Sequence, residues 1–203
     1  MRGQFYYLYL IEDIYSRKIV GYEVYDKEAG DLAAKRLERT LLNENAIGAG
    51  VVLHSGNGAV MKSQTLRMKA YELWVLTSYS RPRVSNDNPF AESVFRSVKY
   101  APSFPEYGFD SLETARVWVN DFVSWYNNEH KHSGLNFVTP NERHTLKDAQ
   151  VLARRELVLL KAKQANPVRW NGRNVRNCSP VPPTALNPVR PSKRVNATEV
   201  LVA

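Results

Sequence analysis

The chain has 203 residues and a formal net charge of +8 at pH 7, a length that suits one domain with its own core plus an appendage. All of the excess positive charge lies in residues 151–203, which hold ten Lys or Arg and two acidic residues, while residues 1–150 hold 18 of each sign. A neutral body with a basic, proline-rich tail indicates a polyanionic partner, most simply nucleic acid.

Neither a membrane span nor a targeting segment is predicted. The apolar run Phe5–Ile11 is far shorter than the roughly 20 residues of a spanning helix, and it ends at Glu12 and Asp13 without a small-residue cleavage site. The single cysteine, Cys178, excludes an internal disulfide. We therefore expect a cytoplasmic protein that does not bind membranes.

The first half of the chain alternates between strand and helix patterns. The run Phe5–Ile11 and the alternating run Ile19–Tyr25 predict an antiparallel hairpin. A helical pattern follows, with apolar residues spaced by four at Ala33, Leu37 and Leu41. After it we predict a short buried strand at Val51–His54. A helix follows from about Ser63, and its buried face carries Leu66, Ala70, Leu73 and Trp74. Another strand is predicted at Val75–Ser80.

Two further helices are predicted. The first begins at Asn88 and Pro89, an N-cap residue followed by a proline. Its positions 92, 96 and 99 share one face, and Val94, Phe95 and Val98 form the other. The second begins at a predicted capping box of Asp110 and Glu113, and its apolar residues are expected to pack in the core: Leu112, Ala115, Trp118, Val119, Phe122 and Trp125.

This order of elements predicts an α/β layer protein. The glycine-rich turn Ser55–Gly58 leaves the carboxyl end of one predicted strand, and the helix that carries Glu92 follows the next. Sites in open α/β sheets form outside the carboxyl ends of strands. Glu92 is therefore a candidate site residue.

Three ordered segments carry a resemblance to a known family: Leu53–Gly58, Ser80–Glu92 and Trp125–Leu135 with Val138–Pro140. They resemble the transposases of bacterial insertion sequences that share the retroviral integrase core. The match covers about residues 2–144, which we interpret as an incomplete integrase-like core. Residues 145–203 resemble the family's C-terminal helix and basic extension.

The resemblance implies a ribonuclease-H-like fold and an active site of three carboxylates that hold two Mg²⁺ or Mn²⁺ ions for phosphoryl transfer on DNA strands. Glu92 falls on the family's final glutamate. The implied phosphate contacts, which position DNA without reading its sequence, are Arg81, Arg83, Arg96, Lys99 and Lys131. The implied partners are transposon-end and target DNA, with a second copy or an intact transposase as a further possibility.

Two departures from the family argue against metal binding and catalysis by this chain. Gly56 stands where the family has the second aspartate, in a His-Ser-Asp-Asn-Gly motif. The family's first aspartate, in a Trp-x-x-Asp-x-Thr pattern on an upstream strand, has no counterpart in this sequence. Asp13 and Asp87 are the nearest spare acids, but the first suits a hairpin turn and the second a loop before a helix. Only Glu92 is expected as a metal ligand.

The family's first strand is central, between the hairpin and the strand that ends at His54. Without it we expect a gap in the sheet with unpaired backbone on both sides. Each buried, unsatisfied amide costs about 1–3 kcal/mol, against a domain stability of about 5–15 kcal/mol. We therefore expect a poorly stable chain, or one whose sheet repacks or pairs with another chain.

Three histidines are weaker candidates. His54 is expected to be hydrogen-bonded structure, and His130 and His132 to serve local structure or phosphate contact. Three functional hypotheses remain. The chain is a transposase core that nicks or joins DNA, a DNA-binding or oligomerising remnant without chemistry, or part of a disrupted or frameshifted gene.

Overall fold

The computed structural model describes residues 5–82, 84 and 87–186. The predicted order of strands and helices is confirmed through the fourth helix, and two more helices follow. The bounds are β1 Tyr7–Glu12, β2 Ile19–Tyr25, α1 Gly30–Asn43, β3 Val52–Ser55, α2 Gln64–Glu72, β4 Leu76–Tyr79, α3 Pro89–Lys99, α4 Leu112–Asn128, α5 Pro140–His144 and α6 Asp148–Ala165. None of the described helices is both long enough and apolar enough to cross a membrane.

The strands form two separate sheets. β1 and β2 make the predicted antiparallel hairpin, in which Leu8 pairs with Val24 and Leu10 with Tyr22. β3 and β4 pair in parallel, with Val52 opposite Leu76 and Ser55 opposite Tyr79. Within the described ranges, no backbone hydrogen bond joins β1 to β3. This separation agrees with the expected gap between the hairpin and the strand that ends near His54.

Two apolar cores hold the body together. One lies where α1 and α2 meet β1 and the β3 strand, and it contains the predicted residues Ala33, Leu37 and Leu41. The other joins α3 and α4 to the hairpin, with Val94 and Phe122 among its buried residues. The predicted helix periodicity therefore matches the buried faces, because residues spaced by three or four lie on one side of a helix.

A buried amide fixes the hairpin to α4. The Asn127 side chain accepts a hydrogen bond from the Ile19 amide at 2.9 Å and donates one to the Ile19 carbonyl at 3.0 Å. The first residue of β2 thus has both backbone groups satisfied by a side chain 108 positions away. Such pairing avoids the cost of a buried, unpaired amide and carbonyl.

The C-terminal extension packs back onto the core as far as it is described. Cys178 is buried with Leu135, Val138 and Leu152, and the Asn136 side chain donates to the Ser179 carbonyl at 2.8 Å. The division into residues 2–144 and 145–203 remains a prediction about domains. The described contacts show that residues 178–181 are held against the body.

Several details of the predicted elements are wrong. Three aromatic side chains assigned to buried faces are substantially exposed: Trp74 at 77%, Phe95 at 43% and Trp125 at 40%. The capping box of α4 consists of Ser111 and Thr114, in place of Asp110 and Glu113. Asn88 precedes α3 as predicted, but its side chain makes no capping hydrogen bond.

The reasons for these errors are local. Trp74 lies beyond the end of α2 with φ of 59°, so helical spacing no longer sets the direction of its side chain. A one-residue shift of a helix start moves the capping box by one residue, and sequence patterns do not fix boundaries that closely.

Candidate functional site

The carboxyl ends of β3 and β4 lie at the same edge because the two strands are parallel. The parallel pairing continues past the strands, since the Ser80 amide donates to the Ser55 carbonyl at 2.9 Å. The Asn57 side chain donates to the Ser80 carbonyl at 2.8 Å and joins the two following turns. The predicted approach of two successive strand-to-helix junctions is therefore present.

Gly56 and Glu92 line one small pocket at this edge. The pocket has a volume of about 390 Å³ and is lined by Gly56, Asn57, Ser80, Arg81, Val84, Asn88 and Glu92. Glu92 is exposed and lies in the first turn of α3, where the helix dipole favours a carboxylate. The structure thus brings together the two positions that the family resemblance aligned with carboxylates, but only one of them bears a carboxylate.

The backbone at Gly56 does not require glycine. Its φ lies outside the left-handed region, and a Cβ built there meets no atom within 4 Å. Glycine is needed where φ is positive or another backbone approaches closely, and neither condition holds here. The fold therefore does not require glycine in place of the aspartate that the family resemblance places at this position.

The wall of the pocket is fixed by a buried carboxylate. Asp87 is 1% exposed, and its oxygens accept hydrogen bonds from the Arg81 amide at 2.7 Å, Nε at 2.9 Å and Nη2 at 2.8 Å. His54 contacts the Asp87 carbonyl through Nε2 at 3.0 Å and the Ser78 hydroxyl through Nδ1 at 3.1 Å. His54 is thus hydrogen-bonded structure, as expected, and it ties β3 to the loop before α3.

The hydrogen bonds from Arg81 hold the pKa of Asp87 at about 2. A carboxylate whose folded pKa is depressed stabilises the fold above its unfolded pKa of about 3.9 and loses that contribution as the pH falls through about 2. We expect Arg81→Gln to raise the pKa of Asp87 towards its ordinary value, measured by NMR titration of its carboxyl carbon. Arg96→Gln, which removes a cation without touching Asp87, should leave the pKa unchanged. An unchanged pKa in Arg81→Gln would contradict the assigned cause.

Neither spare acid replaces the missing ligand. Asp13 accepts hydrogen bonds from the Ser16 hydroxyl at 2.5 Å and the Tyr15 amide at 3.1 Å in the hairpin turn, and both oxygens of Asp87 are occupied by Arg81. Neither residue lines the pocket of Glu92. Across the described part of the chain, no group of three or more His, Cys, Asp or Glu side chains is placed to hold a metal ion. Among the described residues that line the pocket, Glu92 supplies the one carboxylate, whereas a pair of divalent ions requires several oxygen ligands.

The cations assigned to DNA differ in their surroundings. Arg96 and Lys99 lie on the exposed face of α3 with Glu92. Lys131 contacts Glu142 at 3.3 Å, and the Arg81 guanidinium is held by Asp87. Arg83 lies outside the described residues. The side chains of α3 are thus the most available of the described candidates for phosphate.

His130 and His132 pack against aromatic rings. The ring centroids of His130 and Trp125 are 5.0 Å apart, and those of His130 and Tyr126 are 5.2 Å apart. Burial lowers the pKa of His132 to about 4, and its ring accepts a hydrogen bond from the Gly134 amide at 3.1 Å. A ring that stays neutral at pH 7 and is held this way serves local structure.

These strands and helices have the ribonuclease-H-like fold. The chain superposes on the HTLV-2 integrase catalytic core domain, solved in complex with magnesium, with a TM-score of 0.51 and 14% sequence identity over 71% of this chain and 88% of that one. A likeness at this identity establishes the fold alone. The predicted fold class is confirmed.

Sequence comparisons show which proteins the chain is similar to. Residues 74–140 match the model of the integrase core domain. The chain is 27% identical over 135 residues to the uncharacterized 31 kDa protein of insertion element IS600 from Shigella sonnei, which covers 66% of this chain and 49% of that protein. It is 23% identical over 137 residues to the transposase of insertion sequence IS904 from Lactococcus lactis, covering 67% and 53%. These matches confirm the resemblance to insertion-sequence transposases with an integrase core, and the chain spans about half the length of these relatives.

Proposed function

We propose that this chain is an integrase-core protein of DNA transposition that binds DNA and does not itself carry out metal-dependent strand transfer. The match of residues 74–140 to the integrase core and the two insertion-sequence relatives support the role in transposition. The catalytic part of the proposal depends on the pocket between β3 and α3.

The observation that carries the proposal is the pairing of Glu92 with Gly56 in one pocket. Hard divalent cations are held by several oxygen ligands, and in-line phosphoryl transfer in such sites uses two ions about 3.5–4 Å apart. One exposed glutamate beside a residue without a side chain does not supply those ligands. The pocket nevertheless lies next to the face of α3 that carries Arg96 and Lys99.

The DNA contact is assigned to Arg96 and Lys99. Both side chains project from the exposed face of α3, whose opposite face is fixed in the core by Val94 and Val98. A rigid helix that presents two cations suits contact with phosphates, which contributes affinity that falls as salt rises. We expect the protein to bind duplexes of different sequence with similar affinity, because phosphate contacts carry no sequence information.

The test compares two double variants that each remove two exposed cations from one helix. Arg96→Gln/Lys99→Gln should weaken duplex binding and reduce the slope of log K against log salt by about 2, since each phosphate contact contributes about 0.9. Lys35→Gln/Arg39→Gln on α1 is the matched control and should change the slope little. Fluorescence anisotropy from 50 to 200 mM NaCl measures both. Equal losses in the two variants would refute a specific role for α3.

A strand-transfer assay separates the proposal from the enzyme hypothesis. We expect no nicking or joining of transposon-end DNA by this chain with Mg²⁺ or Mn²⁺. Activity that is lost on Glu92→Gln would overturn the proposal and assign catalysis to the pocket. Activity that survives Glu92→Gln would point to a contaminating nuclease. The unmodified chain and the Glu92→Gln variant are therefore assayed side by side.

A further inference from the structure

The pair Asn57–Gly58 follows the end of β3 and contributes Asn57 to the Glu92 pocket. Asn57 and Gly58 are both exposed, and a Cβ built on Gly58 meets no atom within 4 Å. A glycine after an asparagine leaves the backbone free to turn, so the glycine amide nitrogen can approach the asparagine side chain. The pair is therefore suited to an intramolecular attack on the Asn57 carboxamide.

The nitrogen that would attack is not engaged elsewhere. Within the described ranges, the Gly58 amide donates no backbone hydrogen bond. The Asn57 Nδ2 donates to the Ser80 carbonyl at 2.8 Å, a contact that holds the carboxamide at the pocket and does not involve the Gly58 amide. The exposure of both residues gives water access to the same place.

Two other asparagines serve as comparisons. Asn45 is also exposed, but the amide of the following Ala46 donates to the Leu41 carbonyl at 2.8 Å, and its Cβ restricts the backbone. Asn45 therefore lacks both features of the first pair. A second Asn-Gly pair, Asn171–Gly172, follows the 3-10 helix Pro167–Trp170 and lies outside the pocket, so its modification would leave the pocket unchanged.

We propose that Asn57 is a site of spontaneous deamidation, which places a carboxylate in the Glu92 pocket. The Gly58 amide nitrogen bonds to Cγ of Asn57 and closes a cyclic imide. Its proton ends on Nδ2, and the bond between Cγ and Nδ2 breaks to release ammonia. Water then adds to one carbonyl carbon of the imide and breaks the bond from that carbon to nitrogen. The product at position 57 is aspartate or isoaspartate, and either carries a free carboxylate.

The product changes the chemistry of the pocket. Loss of Nδ2 removes the donor that faces the Ser80 carbonyl, so a carboxylate and a carbonyl oxygen are left near each other. Together with Glu92 they are oxygen ligands of the kind that hold hard divalent cations. This consequence rests on the pocket assigned under the proposed function, whereas the deamidation rests only on the local geometry of Asn57 and Gly58.

Peptide mapping of the full chain by mass spectrometry tests the modification. After incubation at mildly alkaline pH, Asn57 should show deamidation and isoaspartate at a level on the order of tenfold above Asn45, because only Asn57 precedes a glycine with an open backbone. Gly58→Ala adds a methyl group into open space and should slow the reaction at Asn57 by a similar factor. Equal rates at Asn57 and Asn45, or no slowing in Gly58→Ala, would overturn the proposal.

Mn²⁺ titration tests the consequence for the pocket. Asn57→Asp reproduces one product and should bind Mn²⁺ on the order of tenfold more tightly than the unmodified chain, and Asn57→Asp/Glu92→Gln should lose this gain. Asn45→Asp adds the same charge outside the pocket and should leave the affinity unchanged. No gain in Asn57→Asp, or an equal gain in Asn45→Asp, would overturn the placement of the new carboxylate in the pocket. Neither measurement uses DNA, so both give an answer even if the proposed DNA binding fails.

Discussion

We expect Gly56→Asp to bind Mn²⁺ in the pocket beside Glu92 on the order of tenfold more tightly than the wild-type chain, because it adds a second carboxylate to the same site. Tenfold corresponds to about 1.4 kcal/mol of binding free energy. Isothermal titration calorimetry and the EPR signal of free Mn²⁺ both measure this change.

The substitution should be tolerated by the fold. The Cβ at position 56 meets no atom within 4 Å, and the backbone has no left-handed φ. The new side chain enters a pocket that Asn57 and Ser80 already shape through a hydrogen bond. Gains in metal affinity therefore arise from the carboxylate, without a rearrangement of the loop.

Two controls isolate the pair of carboxylates. Gly58→Asp places the same residue two positions further on, at another glycine with open space around it and outside the Glu92 pocket. It should leave Mn²⁺ affinity at the wild-type level. Gly56→Asp/Glu92→Gln should lose the gain of the single variant. If the double variant binds as tightly as Gly56→Asp alone, Glu92 is not a ligand and the alignment of these positions is wrong.

The order of elements was predictable because it depends on short-range patterns. Alternation gave the hairpin, and spacing by four gave the buried face of α1, since these periods follow directly from strand and helix geometry. The meeting of Gly56 and Glu92 followed from the same reasoning. Parallel strands bring successive carboxyl ends to one edge of the sheet. In the sequence, Gly56 follows β3, and Glu92 lies in the helix that follows β4.

Buried polar contacts between distant segments were not predictable from these patterns. Asn127 satisfies Ile19 across 108 positions, and Asp87 is buried by its own contacts with Arg81. A polar residue gives the same sequence signal whether it is solvated or paired in the interior. Only the packing of the segments around it decides which of the two occurs. The sequence therefore placed Asp87 in a loop and did not predict the contact between Asn127 and Ile19.

Arg143 also makes buried polar contacts that the sequence did not predict. We expect Arg143→Met to destabilise the protein by about 3–5 kcal/mol, the range for removing one partner of a buried ion pair. Its guanidinium is buried with Asp148, at 2.5 Å between Nη1 and Oδ2. It also donates to the Val181 carbonyl at 2.5 Å and lies 4.3 Å above the Tyr15 ring. One side chain thus joins the hairpin turn, the start of α6 and the C-terminal extension.

The loss in Arg143→Met comes mainly from the Asp148 carboxylate, which stays buried without its partner. Removing the carboxylate as well, in Arg143→Met/Asp148→Leu, should therefore recover a large part of the loss, because replacing both members of a buried pair by apolar groups is often close to neutral. Arg154→Met on the exposed side of α6 is the matched control and should change stability by less than about 0.5 kcal/mol. Urea unfolding midpoints and slopes give the three free energies. A single-variant loss no greater than that of Arg154→Met would show that the contacts of Arg143 do not hold the extension to the core.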